Sequence, residues 1–316
     1  MDVQTLDFLI KLSLLFLSVN ILLTFITAQW RRYNNGRKRQ IEMVFAQQIS
    51  SFLYPLPNET PNFIKVQRAF SKIGVTESKP ASVQFLIRLM IRTQQALSGS
   101  NHEKLQTLYR QIPPYKASIS KVQQRDWFQK ARGIREIYEM DQKQYFKEIA
   151  IYRDHKNVYL RRESQIALVC FLGWESLRFL PYLTRKISLW QQIKIVEKLR
   201  DICKEPNVDY LRKAYITKNH DALELVIRII KKFYLITEAD FVFMNLQHEN
   251  YEVRKAAIYC LLSLGVKEVS IKDRLLEVSH QIPSEIQQRQ IFKYLSKRYN
   301  KGLISTSKNE NKVELF

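Results

Sequence analysis

The stretch Asn250–Gly265, NYEVRKAAIYCLLSLG, decides the fold. Asn250 is a helix-capping residue type, because its side-chain oxygen can accept an N–H that lacks an intrahelical partner. Val253, Ala256, Ala257, Cys260, Leu261 and Leu264 follow at three- and four-residue steps and so share one helical face. Gly265 ends the run. One helix cannot bury such a stripe alone, so the chain must supply neighbours built the same way.

Those neighbours come at a fixed spacing. Asp126, Asn157, Ser188, Asn219 and Asn250 stand 31 residues apart, and all five are cap-type residues. Eleven positions after each cap come Ile137, Leu168, Leu199, Ile230 and Leu261. Fourteen positions after come Met140, Phe171, Ile202, Phe233 and Leu264. Seven positions after come Gly133, Ser164, Ile195, Val226 and Ala257, a slot for small to medium side chains. A sixth, less regular unit starts at Ser284, with Ile291 and Leu295 in the matching slots, as expected at the end of an array. Second helices are expected between the first ones, over Gln144–Arg153, Ser176–Lys186, Asp209–Lys218, Glu238–Leu246 and Ser270–His280. Upstream, Ala81–Leu97 and Glu103–Gln111 read as an opening helical hairpin that Pro113 and Pro114 terminate.

The pairs Leu160-Arg161 with Ala167-Leu168, and Val253-Arg254 with Ala256-Ala257, resemble the first helix of a HEAT repeat. The resemblance covers residues 120–298. It implies an all-α fold, a right-handed α-solenoid of five to six HEAT-like hairpins, which one transmembrane helix read from the N-terminal residues precedes. It also implies that Arg161 and Arg254 are struts to an adjacent unit rather than ligand contacts. The two middle units carry Gln191-Gln192 and Ala222-Leu223 in that place and rest on the period alone.

Composition agrees with a helical chain. Of 316 residues, 46% are hydrophobic, and only 7 glycines and 9 prolines interrupt them. The net charge of +21 favours anionic partners: nucleic acid, acidic protein surfaces or anionic lipid. Cys170, Cys203 and Cys260 are widely separated and match neither a disulfide framework nor a zinc site, which fits a reducing compartment.

The N-terminus reads as a membrane anchor. Leu12 to Ala28 carries no charge, and Phe8 to Trp30 spans about 34 Å as a helix. Arg31, Arg32, Arg37, Lys38 and Arg39 follow it, whereas Lys11 is the one basic side chain before it. The positive-inside rule then puts the N-terminus outside and the bulk of the chain in the cytosol, at the inner (plasma) membrane. Trp30 and this basic cluster are expected at the anionic headgroups. A cleaved signal would carry its charge on the other side. The expected organisation is an anchor over 1–30, a basic amphipathic helix over 31–53, a Pro-containing linker over 54–80, the repeat domain over 81–300 and a disordered tail over 301–316. On the amphipathic helix Ile41, Val44, Phe45, Ile49, Phe52 and Leu53 share a face, suited to packing on the next domain or to lying on lipid.

Chemistry is absent from the pattern. There is no phosphate-binding glycine loop, and His248-Glu249 lacks the second histidine of a metalloprotease helix. No catalytic residue, metal site or cofactor is expected, and the chain reads as a non-enzyme. The expected binding surface is the concave face formed by the second helices, with Arg178, Arg185, Lys186, Arg212, Lys213, Lys218 and Arg274 interleaved with Tyr182, Tyr210 and Tyr215. The leading expectation is an anchored scaffold for another, membrane-embedded protein. Bacterial single-span HEAT proteins of this layout resemble accessory proteins of family-2 membrane glycosyltransferases that make surface polysaccharide. The alternative is a HEAT-like DNA glycosylase, a basic solenoid with tryptophans, here Trp127, Trp174 and Trp190. No aspartate can be assigned to its groove, and an anchor disfavours a chromosomal task. A HEAT-like chromophore lyase is a further possibility that no residue singles out.

Overall fold

A computed structural model describes residues 3–55, 62–202, 205–265 and 268–296. The centre of the expected linker with Asn58-Glu59-Thr60, Cys203 and the expected tail 301–316 lie outside those residues. Every regular element among the described residues is a helix, so the fold is all-α. The chain divides into two compact units, Met1–Gln142 and Lys143–Phe316.

The first unit is built on α1 (Val3–Leu53), α2 (Phe63–Lys72), α3 (Pro80–Ala96), α4 (Ser100–Gln111), α5 (Pro113–Gln123) and α6 (Trp127–Glu139). The sequence of α1 changes character along its length. From Leu12 to Trp30 its large apolar side chains are exposed, Phe16 at 71% and Ile21 at 63%. This part is long and apolar enough to cross a membrane. Its polar side chains bond back to their own helix: Ser18 Oγ to Leu15 O at 2.7 Å, Asn20 Nδ2 to Phe16 O at 2.8 Å and Thr24 Oγ1 to Asn20 O at 2.7 Å. Such back-bonding satisfies a hydroxyl or amide without water.

The C-terminal part of the same helix is an ordinary core element. Ile41, Phe45, Ile49, Phe52 and Leu53 are buried with Val66 and Phe70 of α2, Leu86 and Met90 of α3, and Leu105 and Leu108 of α4. The amphipathic stripe therefore packs on protein rather than facing outward. Two segments read as breaks are helices. α2 lies inside the expected linker, where Asn62 caps it by accepting from Lys65 N at 3.1 Å. α5 begins at Pro113, because proline at the first helical position loses no hydrogen bond and has the right φ.

α6 packs on α5 at its small slot. A Cβ added to Gly133 would stand 2.7 Å from Ser118 O and 2.9 Å from the Lys121 Cβ. Backbone cannot yield there as a flexible side-chain tip can. Gly133→Ala gains about 1 kcal/mol of helix propensity but meets overpacking of about 1–3 kcal/mol. The expected result is a net loss of about 1 kcal/mol, with Gly133→Val worse, read as shifts of the urea midpoint.

The second unit contains α7 (Phe146–Ala150), α8 (Val158–Leu172), α9 (Leu189–Ile202), α10 (Val208–Lys213), α11 (His220–Phe233), α12 (Ala239–Met244), α13 (Tyr251–Gly265) and α14 (Val269–Val278). A further helical run covers residues 285–296. α9 packs between α8 and α11, and α11 also packs on α13. Each of the five predicted cap residues stands before a helix and accepts from its first turn. Asp126 takes Phe128 N; Asn157 takes Tyr159 N and Leu160 N; Ser188 takes Gln191 N; Asn219 takes Asp221 N and Ala222 N; Asn250 takes Glu252 N and Val253 N. The residues eleven after the caps, Ile137, Leu168, Leu199, Ile230 and Leu261, are all buried. One expectation fails fourteen after: Ile202 is 45% exposed at the end of α9.

The intervening elements are shorter and tighter than expected. Gly173–Tyr182 is a 3-10 helix containing Pro181, and Thr184–Ser188 is not helical. α10 stops at Lys213, because Thr217 turns its hydroxyl to Leu180 O at 3.3 Å and accepts from Asn219 N instead of extending the helix. The expected helix Glu238–Leu246 passes into a 3-10 turn at Asn245, whose side chain donates to Phe241 O at 2.8 Å.

Candidate functional site

The position four residues after each cap carries most of the polar stitching in the second unit. Arg161 is 4% exposed and donates from Nη1 to His155 O at 2.7 Å and from Nη2 to Lys186 O at 3.1 Å. Arg254 is 9% exposed; it donates from Nη1 to His248 O at 2.7 Å and Glu249 O at 2.8 Å, and from Nε to Gln287 Oε1 at 3.1 Å. In the copy between them, Gln192 plays the same part: Nε2 donates to Ile187 O at 3.3 Å and to Glu224 Oε2 at 3.0 Å. Each of the three reaches back to the loop before its own helix and forward to the next segment. Leu223 holds that position in the remaining copy and makes no such bond.

His155 and His248 share a further detail. Each Nδ1 accepts the N–H of the cap two residues on, Asn157 or Asn250, at 3.0 Å. The unit thus uses one loop design, His-x-Asn-x-x-x-Arg, twice. At the second, the His248 ring lies edge-on to His220 at 5.1 Å, while Glu249 and Arg254 are the charged groups nearby. Burial, then the His220 ring and Arg254, lower the His248 imidazole below its ordinary value of 6.5. A histidine depressed in the folded state contributes stability that is complete above about 6.5 and is lost as pH falls through its folded value. The second unit is therefore expected to lose stability as pH falls below about 6.5, and His248→Gln to flatten that dependence in denaturation curves taken at successive pH values.

The predicted binding residues divide into committed and free groups. Arg178 pairs with Glu175 at 2.7 Å and lies over the Phe179 ring. Arg212 pairs with Glu238 at 2.6 Å, and the Tyr215 hydroxyl donates to the same carboxylate at 2.6 Å. Tyr215 stacks on Phe241 with centroids 3.6 Å apart, and its burial raises the phenol above its ordinary value. Burial alone would raise the Glu238 carboxyl, but the bonds from Arg212 and Tyr215 bring it below its ordinary value. Arg274 bonds Asp240 and lies over Phe243 at 4.3 Å. Tyr210 lies beneath Lys213 at 5.0 Å, and Tyr182 is 70% exposed. Arg185, Lys186 and Lys218 do not sit on helices between the capped ones. They lie in the non-helical segments that lead into α9 and α11, because those helices end earlier than expected. At the N-terminus, Trp30, Arg31, Arg32, Lys38 and Arg39 are exposed, whereas Arg37 turns inward and donates to Gly74 O at 3.0 Å.

A polar centre in the first unit leaves no periodic signal in the residues around it. Glu136 on α6 has 4% of its side chain exposed. Its Oε2 accepts from Ser118 Oγ at 2.6 Å and Lys121 Nζ at 2.7 Å, and its Oε1 from Gln84 Nε2 at 2.8 Å. Arg132 Nε lies 3.3 Å away, and the Tyr109 hydroxyl donates to Ser118 Oγ at 2.6 Å. Burial lowers the Lys121 ammonium below its ordinary value, against the pull of Glu136. A cleft of about 610 Å³ opens beside it, lined by Gln84, Lys121 and Arg132 among others. Every donor of the centre already has an acceptor inside it, so it ties α3, α4, α5 and α6 together and offers no spare base or nucleophile. Among the described residues, no group of three or more His, Cys, Asp or Glu side chains could hold a metal ion. No protein-family model matches this chain, and neither a curated protein nor a solved structure does.

Proposed function

We propose that the chain is a single-pass, membrane-anchored HEAT-like solenoid that acts as an adaptor for another membrane protein. What chiefly supports the reading is the recurrence of one stitching geometry at Arg161, Gln192 and Arg254, each joining its own loop to the next segment. Such nearest-neighbour joints are how stacked repeats cohere, and extended arrays present long surfaces suited to proteins rather than enclosed catalytic clefts. The exposed apolar half of α1, with its polar side chains satisfied inside the helix, supports the anchor. The basic residues after Trp30 support, by the positive-inside rule, an N-terminus outside and the remainder in the cytosol.

The binding face is the one that carries Tyr182, Tyr210 and Lys213, and the arginines held by Glu175, Glu238 and Asp240 shape it rather than bind through it. The partner class is a membrane-embedded protein, with a family-2 glycosyltransferase of a surface-polysaccharide system as the specific candidate from the HEAT resemblance. The chain performs no chemistry of its own, and nucleic acid is not its partner. The test is affinity capture of the full chain from detergent-solubilised membranes. A membrane protein is expected to co-purify with the natural chain and to be lost with Tyr182→Ala combined with Lys213→Glu. Recovery of no membrane protein, or equal recovery with both chains, sinks the adaptor reading.

A further inference from the structure

The non-helical segments that precede α8, α9 and α11 lie side by side at one edge of the second unit. Asp154 accepts from Thr184 N at 3.2 Å and Arg185 N at 3.1 Å, joining the first two segments. Asn219 Nδ2 donates to Leu183 O at 3.1 Å and Arg185 O at 3.0 Å, and Asp221 accepts from Ile187 N at 2.9 Å, joining the second and third. Asp154 and Asp221 are thereby engaged, Asp154 also accepting from Thr184 Oγ1 at 2.5 Å, and Glu163 pairs with Arg162 at 2.9 Å. The lysines are not so engaged. Lys156, Lys186 and Lys218 are exposed, and among the described residues their ammonium groups enter no ion pair.

Large apolar side chains stand among these lysines. Val158, Tyr159, Leu189 and Trp190 are each at least half exposed, and Ile216 is 77% exposed. The Arg162 guanidinium lies over both the Tyr159 ring, at 5.5 Å, and the Trp190 ring, at 4.7 Å, so these two are neighbours; Val158 and Leu189 adjoin them in sequence, and Ile216 stands in the third segment. Lys156 and Lys218 stand one residue before their caps and Lys186 two before; in the next copy Glu249 holds the position of the first two.

We propose that this edge rests on an anionic bilayer surface. A contiguous apolar patch is costly in water and marks a contact surface. Aliphatic side chains flanked by tryptophan, tyrosine and unpaired lysines match the bilayer interface, where the apolar parts enter the acyl boundary and the ammonium groups meet phosphates. A nucleic acid would use the rings and lysines but would leave Val158, Leu189 and Ile216 without a partner. The inference rests on the membrane anchor proposed above, which brings the second unit to a membrane, and it concerns a surface more than 100 residues away from α1 in the chain.

The test uses the full chain reconstituted in vesicles whose acyl chains carry bromine near the headgroup, with and without phosphatidylserine as the anionic lipid. Quenching is read as the difference between the natural chain and Trp190→Phe, and separately between the natural chain and Trp30→Phe. With anionic vesicles, both differences are expected. In neutral vesicles the Trp30 share persists and the Trp190 share falls by about twofold or more. Lys156→Glu with Lys186→Glu and Lys218→Glu is expected to remove the Trp190 share and spare that of Trp30. A Trp30 share without any Trp190 share overturns the docking edge and leaves the anchor standing. A Trp190 share without Trp30 overturns the anchor and leaves the edge. Protection of Trp190 by single-stranded DNA in preference to anionic vesicles overturns the lipid assignment.

Discussion

Replacing Arg161 by alanine is expected to lower the stability of the second unit by about 3 kcal/mol, close to the upper end for a single substitution outside the apolar core. Arg161 as a residue is 4% exposed, and its guanidinium serves His155 O and Lys186 O at once. Truncation leaves those carbonyls without their donor, and a buried acceptor costs more to abandon than a hydrogen bond contributes when made. Arg161→Gln is expected to cost less than Arg161→Ala, because Gln192 performs the same task one copy on with a shorter amide. The measurement is a urea midpoint series on the full chain in detergent, followed by circular dichroism. Equal losses for alanine and glutamine would mean that the charge, not the reach of the donors, carries the contact.

Glu136→Ala is expected to cost the first unit about 3–5 kcal/mol. The carboxylate is the shared acceptor for donors from α3, α5 and α6, and its removal leaves the Lys121 ammonium, 13% exposed, without an opposite charge. A buried pair deleted on one side is far worse than a pair deleted on both, since the desolvated charge then disappears. Glu136→Leu combined with Lys121→Met is therefore expected to recover at least half of the loss. The readout is again the denaturation midpoint, assigned to the first unit by the fluorescence of Trp127 on α6. A single substitution no worse than the double one would show that water reaches Lys121 through the neighbouring cleft.

The capped helices were legible because their signals are local. A cap residue, a small slot and two apolar slots all act within fifteen residues, and the 31-residue spacing made each instance support the others. What was not legible depended on partners distant in sequence or on short-range competition. Pro113 reads equally as an end or a start, and only the packing of α5 on α6 decides. Thr217 and Asn245 shorten their helices through side-chain hydrogen bonds that leave no periodic trace. The charges were the least legible. Arg178, Arg212 and Arg274 read as no different from Lys186 and Lys218, yet all five are exposed and only the first three are held by acids among the described residues. Glu136 stands three residues before Glu139 with no local signal to set it apart, and it is the buried centre of its unit.

α1 runs unbroken from Val3 to Leu53, about 76 Å at the usual rise, with its outer half bare and its inner half locked into a core. The seven residues from Tyr33 to Arg39 are thus a rigid coupling rather than a tether. Each residue added there turns the packed unit by about 100° about the helix axis and lifts it by about 1.5 Å. One extra alanine would swing the first unit to a new bearing while changing its distance from the anchor hardly at all. Seven would restore the azimuth to within about 20° at a height about 10 Å greater. Function that survives seven insertions but not one would reveal a device whose bearing matters more than its reach.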